Sequence, residues 1–222
     1  MQTEGAHLMT CRIGIGQDDM LVVVDVQNDF CAAGALAVPG ADEIVPLVNR
    51  IAREFRHAVL TQDWHPSGHI SFASSHPGRK PFETIRLGNI SQVLWPDHCV
   101  QGTRGAEFHP ALDIPHAELI LRKGFRPDID SYSAFYENGH AAPTGLSGYL
   151  RERGFRRVFL AGLAFDFCVR YSAEDARRCG FPVYVFADAS RAIDADGSIE
   201  DTHASFARAN VTCVTTADII RA

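Results

Sequence analysis

The sequence predicts an α/β domain of three layers: a Rossmann-like, doubly wound, mostly parallel sheet with helices on both faces. Six short runs rich in β-formers are continuously apolar rather than alternating, as strands buried on both faces must be. Segments with helical spacing fall between them, which generates repeated β-α-β units. A length of 222 residues with 46% hydrophobic and 22% charged residues suits one sizeable core and excludes a disordered chain.

The expected strands are Met20 to Asp25, His57 to Asp63, Glu118 to Lys123, Arg157 to Ala161, Pro182 to Ala187 and Val211 to Thr215. Between the first two, Ile44, Leu47, Val48, Ile51 and Phe55 recur at helical spacing after Pro39-Gly40, and Pro46 is expected in the first turn, where a missing N–H matters little. Asp166 is the expected N-cap of a helix running to Gly180, with Val169, Ala173 and Ala176 on one face. A further helix is expected from Ser198, with Asp201 approximating a capping box, to about Asn210. The stretch from Trp64 to Pro115 is rich in His, Pro, Gly and Ser and reads as long functional loops. One domain over 20–222 is expected, preceded by a tail over 1–19 without regular structure.

Charge and targeting signals narrow the function classes. A net charge of -6 provides no basic field for a phosphate backbone, which argues against a nucleic-acid partner. The first 19 residues contain one Arg, two acids in the last positions and no apolar core of a leader, so a cytoplasmic protein is expected. The apolar run Met20 to Val24 is far short of a membrane span. Six cysteines form no CxxC pair, so a reduced state is expected, leaving any one of them free to act as a nucleophile.

In an open parallel sheet, ligands bind beyond the carboxyl ends of the strands. Asp25, then Asp63 and His65, then Lys123, then Cys168 fall at four such ends. A single Asp or Lys there is most often a solvated terminus; four chemically capable ends at one edge are a site. Cys168 lies near the start of a helix, where free N–H groups and the positive dipole end favour a thiolate and can hold an oxyanion, together with the Gly162-Leu163-Ala164 turn. Lys123 and Asp25 complete a Cys-Lys-Asp set in which the carboxylate moves the thiol proton and the ammonium steadies both anions. A plain Lys-Asp salt bridge fits the same residues. Cys11, Cys179 and Cys213 are expected as inert core fillers.

Asp63 and His65, two apart at a strand end, point the same way. With His98, and His69 as a further ligand or supporting residue, they form a donor set suited to one divalent ion, Zn, Mn or Fe(II). Cys99 beside His98 is expected to pack rather than ligate.

Five motifs in this order resemble nicotinamidases of the isochorismatase-like cysteine hydrolase superfamily: Val24-Asp-Val-Gln-Asn-Asp-Phe-Cys31, Gln62-Asp-Trp-His-Pro-Ser-Gly-His-Ile-Ser-Phe72, Trp95-Pro-Asp-His-Cys-Val-Gln-Gly-Thr103, Lys123-Gly124 and Gly162-Leu-Ala-Phe-Asp-Phe-Cys-Val169. The resemblance spans about residues 20 to 215. It implies a Rossmann-like fold and hydrolysis of nicotinamide, and of pyrazinamide, in NAD salvage. It implies Asp25, Lys123 and Cys168 as the triad, Ala164 and Cys168 N–H groups as the oxyanion hole, and a cis peptide at Leu163-Ala164. It further implies metal ligation by Asp63, His65 and His98, with the metal taking the pyridine nitrogen, and pocket walls from Phe30, Trp95 and Ala164. Phe165 and Phe167 depart from the smaller or polar residues of many members. The expected partner is a small aromatic amide; self-association into a homo-oligomer is compatible. Other readings are a different amidase of the superfamily, an isochorismatase-type hydrolase, which typically lacks the metal set, and a non-catalytic metal- or pyridine-binding protein.

Overall fold

The computed structural model describes residues 12–221. Ten strands and four α-helices follow in chain order: β1 (Ile13–Ile15), β2 (Asp19–Val24), α1 (Ala41–Ala52), β3 (His57–Asp63), β4 (Thr84–Leu87), β5 (Ile90–Val93), β6 (Ala117–Lys123), α2 (Leu146–Glu152), β7 (Arg157–Leu163), α3 (Arg170–Arg178), β8 (Val183–Arg191), α4 (Ser198–Ala209), β9 (Thr212–Val214) and β10 (Ile219–Arg221). Six of the strands form one parallel sheet in the order β6-β3-β2-β7-β8-β9. The order reverses between β2 and β7. Right-handed crossovers leave that point in opposite directions, which puts α1 on one face and α2, α3 and α4 on the other. The crevice at such a reversal is where an open α/β sheet binds its ligand.

Burial follows position in the sheet. Every residue of β2 is buried, as are all but the first of β3 and of β7. In contrast, β6 is an edge strand whose residues alternate between half-buried and exposed up to the buried Lys123, which corrects the expectation of burial on both faces. The apolar face of α1 buries Ile44, Val45, Val48 and Ile51, at roughly 1.5–3 kcal/mol for each fully buried side chain. Pro46 is the sixth residue of α1 and not part of its first turn, because the helix starts directly after Gly40. α4 begins and ends as expected, but Gly197 stands at its N-cap, and the Ser198 hydroxyl bonds elsewhere.

Two expectations about the chain's periphery change. Residues 1–11 of the proposed tail, Cys11 included, lie outside the described residues, while Ile13–Ile15 pair in parallel with Ile219–Arg221 and Asp19 already opens β2. Within Trp64 to Pro115, β4 and β5 form an antiparallel hairpin and Ala73–Ser75 and Arg104–Ala106 form single 3-10 turns; the rest is loop, as expected. Cys213 is exposed and Cys179 half-buried, so neither is a core residue. Among the described residues, no helix is long and apolar enough to cross a membrane.

Candidate active site

β2, β3, β6 and β7 deliver Asp25, Asp63, Lys123 and the Cys168 turn to one buried point. The Lys123 ammonium lies 2.8 Å from Asp25 Oδ2, 2.5 Å from Asp63 Oδ1, 3.3 Å from Cys168 Sγ and 3.1 Å from the Ser131 carbonyl. All of these side chains are buried. Burial alone would discharge the ammonium, yet the two carboxylates beside it raise its pKa well above the ordinary value. Asp25, in a left-handed conformation at φ 48, is aimed by Thr61, whose hydroxyl donates to Oδ1 at 2.6 Å. Asp25 Oδ2, although close to Lys123, receives no directed hydrogen bond. Burial raises the Asp25 pKa against the pull of Lys123.

Cys168 sits in a wide, π-helical turn, Phe165–Val169, where the N–H groups of Phe167 and Val169 both reach the Ala164 carbonyl. The turn follows a cis peptide at Leu163-Ala164, as the resemblance implies. It is reached through Gly162, at φ 127, where a Cβ would lie 2.1 Å from the Val24 carbonyl of β2, so no side chain fits. The expected N-cap does not form. Asp166 lies inside the turn and its carboxylate faces residues 193–198 instead. The expected lowering of the thiol pKa is also corrected: burial pushes it well above the ordinary value, Lys123 pulls it down, and Asp25 and Asp63 push it up. The resting thiol is therefore protonated and needs a base.

Asp63 faces two ways. Its Oδ1 takes the ammonium, and its Oδ2 lies 3.6 Å from His65 Nε2 and 3.9 Å from His98 Nε2. Two donors on one zinc ion stand roughly 3.3 Å apart, and the three ligand atoms here all lie within 4.8 Å of one another. Each ring is already oriented: His65 Nδ1 donates to the Gly124 carbonyl at 2.9 Å and His98 Nδ1 to the Pro96 carbonyl at 2.8 Å, leaving both Nε2 atoms directed at Asp63. Burial and the neighbouring His65 lower the His98 pKa to about 4, which keeps its lone pair available. For His65, burial is outweighed by the Asp63 carboxylate, and its pKa rises. The donor set fits one divalent ion. His69 is stacked on His65 with ring centroids 4.3 Å apart, and its nitrogens face Ser71 Oγ and the Ile129 carbonyl, so it supports the set from behind. Cys99 packs, fully buried, as expected. A second group, Cys31, Asp42 and His109, also gathers donors, but His109 Nδ1 accepts from the Ala111 N–H, so its Nε2 carries the proton and faces Asp42.

A narrow cavity opens onto Cys168, Asp63, His65 and His98, with Phe30, Trp95 and Ala164 in its walls as the resemblance implies. Phe167, one of the two departures from the family pattern, also lines it, and Leu36, Asp130, Tyr132 and Ile193, which sequence reasoning does not single out for that role, complete the lining. Thr61 was readable, since it lies two residues before Asp63 and on the same side of the strand; Ile193 had no signal. The two phenylalanines of the departure separate: Phe167 packs edge-on against Trp95 at the cavity, whereas Phe165 packs against His203 and Phe206.

A buried cysteine, lysine and aspartate meet at the reversal point of a parallel sheet, an arrangement with the chemistry of a cysteine-dependent hydrolase on a Rossmann-like fold. An isochorismatase domain model matches residues 19–218. A nicotinamidase from Acinetobacter baylyi is 53% identical over 193 residues, covering 87% of this chain and 90% of its own. A nicotinamidase/pyrazinamidase structure from Acinetobacter baumanii superposes with a TM-score of 0.90 at 54% identity, covering 91% of this chain and 98% of its own. A pyrazinamidase from Pyrococcus horikoshii in complex with zinc superposes at 0.73 with 36% identity, covering 89% and 99%. The chain belongs to the isochorismatase family, within its nicotinamidases.

Proposed function

We infer that this protein hydrolyses nicotinamide to nicotinate and ammonia through a thioester on Cys168. The convergence of Lys123 on Asp25 and Cys168, at 2.8 and 3.3 Å inside a closed site, carries the assignment of roles. Asp25 Oδ2 is the acceptor for the thiol proton. As Cys168 Sγ bonds to the carboxamide carbon, that proton passes to Asp25, the Lys123 ammonium balances the negative charge, and the N–H groups of Ala164 and Cys168 receive the oxyanion. Asp25 returns the proton to the amide nitrogen, the C–N bond breaks and ammonia leaves. Water then gives a proton to Asp25 and its oxygen attacks the thioester carbon; the C–S bond breaks, and the thiolate recovers the proton.

Asp63, His65 and His98 would hold one divalent ion, Zn, Mn or Fe(II), with His69 behind them. When bound, the ion supplies an electron-pair acceptor for the pyridine nitrogen. Phe30 and Trp95 flank the ring. The zinc complex of the Pyrococcus horikoshii pyrazinamidase supports zinc and extends the substrate class to pyrazinamide. Hydrolysis of nicotinamide gives the protein its place in NAD salvage, and free thiols at all five described cysteines fit a reducing, cytoplasmic compartment.

Ammonia release from nicotinamide, pyrazinamide and benzamide, measured before chelation, after it, and after restoring each metal, tests this reading. The two nitrogen heterocycles are turned over, lose turnover on chelation and regain it; benzamide, without a ring lone pair, stays poor. No ammonia from nicotinamide would overturn the activity. Equal turnover of benzamide, or full activity of the metal-free protein, would overturn the positioning role of the metal set.

A further inference from the structure

Asp166 is a buried carboxylate, 1% exposed, two residues before the nucleophile, and it forms no ion pair among the described residues. A charge in such a place persists only when hydrogen bonds replace its water. Two of its three bonds come from the segment that leads into α4, and the third from the first residue of α4. Oδ1 accepts from the Ile193 N–H at 3.0 Å, and Oδ2 accepts from the Asp194 N–H at 2.7 Å and the Ser198 hydroxyl at 2.5 Å.

That segment, residues 192–197, joins β8 to α4. After a register shift, Ser190 and Arg191 at the end of β8 pair with Gly162 and Leu163, so the segment leaves the sheet beside the nucleophile turn. Asp194 and Asp196 are left-handed, at φ 57 and 51, conformations that persist where the surroundings hold them. Ile193, whose N–H is one of those held, is the cavity wall contributed after β8.

We propose that Asp166 is a positioning residue that pins residues 192–197 to the nucleophile turn, and that Ile193, so held, is a specificity-determining residue limiting substitution on the substrate ring. The second half rests on the reading of the cavity as a pyridine carboxamide site. Ile193→Ala removes three carbons from an apolar wall, and one methylene in such a pocket discriminates by about 10–200-fold.

The experiment measures kcat/KM for nicotinamide and for nicotinamides methylated at each free ring carbon in turn, in wild type, Ile193→Ala, Asp166→Asn, Ser198→Ala and the Ile193→Ala/Asp166→Asn double variant. Hydrogen exchange at the Ile193 and Asp194 amides is followed in parallel. With Ile193→Ala, at least one methylated amide gains about tenfold or more relative to nicotinamide, while iodoacetamide alkylates Cys168 at the wild-type rate. Asp166→Asn and Ser198→Ala shift the same ratio in the same direction and speed exchange at both amides, and the double variant shifts it no further than Ile193→Ala alone. Unchanged ratios in Ile193→Ala would overturn the specificity role. Unchanged exchange in Asp166→Asn, or in Ser198→Ala should the Asn variant not fold, would overturn the pinning role. A wild type that releases no ammonia from nicotinamide would overturn the specificity role together with the functional reading, while exchange still decides the pinning.

Discussion

Lys123→Met separates the structural and chemical duties of the central ammonium. The substitution keeps an unbranched chain of similar length but leaves Asp25 and Asp63, both buried, without the cation that lies 2.8 and 2.5 Å from them. Removing one partner of a buried ion pair costs about 3–5 kcal/mol, because the remaining charge is stranded away from water. At about 2–4 °C per kcal/mol for a chain of this size, the melting temperature falls by roughly 6–20 °C. A bound divalent ion gives Asp63 a second counter-charge, so the loss lies toward the low end with zinc and the high end with chelator. Adding Asp25→Asn removes one stranded charge and restores part of the stability, while ammonia release stays abolished in both variants. Thermal melts and urea titrations with and without zinc, beside an ammonia assay, read all of this. An inactive Lys123→Met protein that melts with the wild type would refute the argument that the ammonium holds two carboxylates ionised.

Cys168→Ala abolishes turnover and leaves the melting temperature close to that of the wild type, since one small side chain in the π-helical turn before α3 contributes little to the core; substantial residual ammonia release would remove the covalent step. Gly124→Ala places a Cβ 2.5 Å from His65 Cε1 and on a backbone at φ 63, so it displaces the imidazole. Metal affinity, read by chelator competition, falls by about 10–100-fold, the range for a lost supporting contact; unchanged affinity would show that the Gly124 carbonyl does not set the ring. Phe159→Ala, at a fully buried ring stacked on Tyr184 and edge-on to Phe55, costs about 3–5 kcal/mol in urea titration and leaves KM for nicotinamide unchanged. A shifted KM with unchanged stability would reverse that assignment.

The inner strands were legible because burial on both faces demands continuous apolar residues, and the order of chemically capable residues at the strand ends marked one edge of one sheet. Asp25, Asp63, His65, Lys123 and Cys168 were therefore named from a line of sequence, since parallel strands all present their carboxyl ends to the same side. His98 entered through its motif, because a ligand on a long loop has no spacing rule that ties it to β3. Other features belong to the tertiary structure alone. Burial depends on everything packed around a group, and it reversed the expected direction of the Cys168 pKa. Asp166 looked like a helix cap because local pattern ranks nearby N–H groups first, yet its partners stand 27 to 32 positions along the chain. Ile193 carried no chemical signature at all: an isoleucine becomes a wall of the cavity only when β8 ends beside the nucleophile turn, and that adjacency is set by strand pairing between residues distant in sequence.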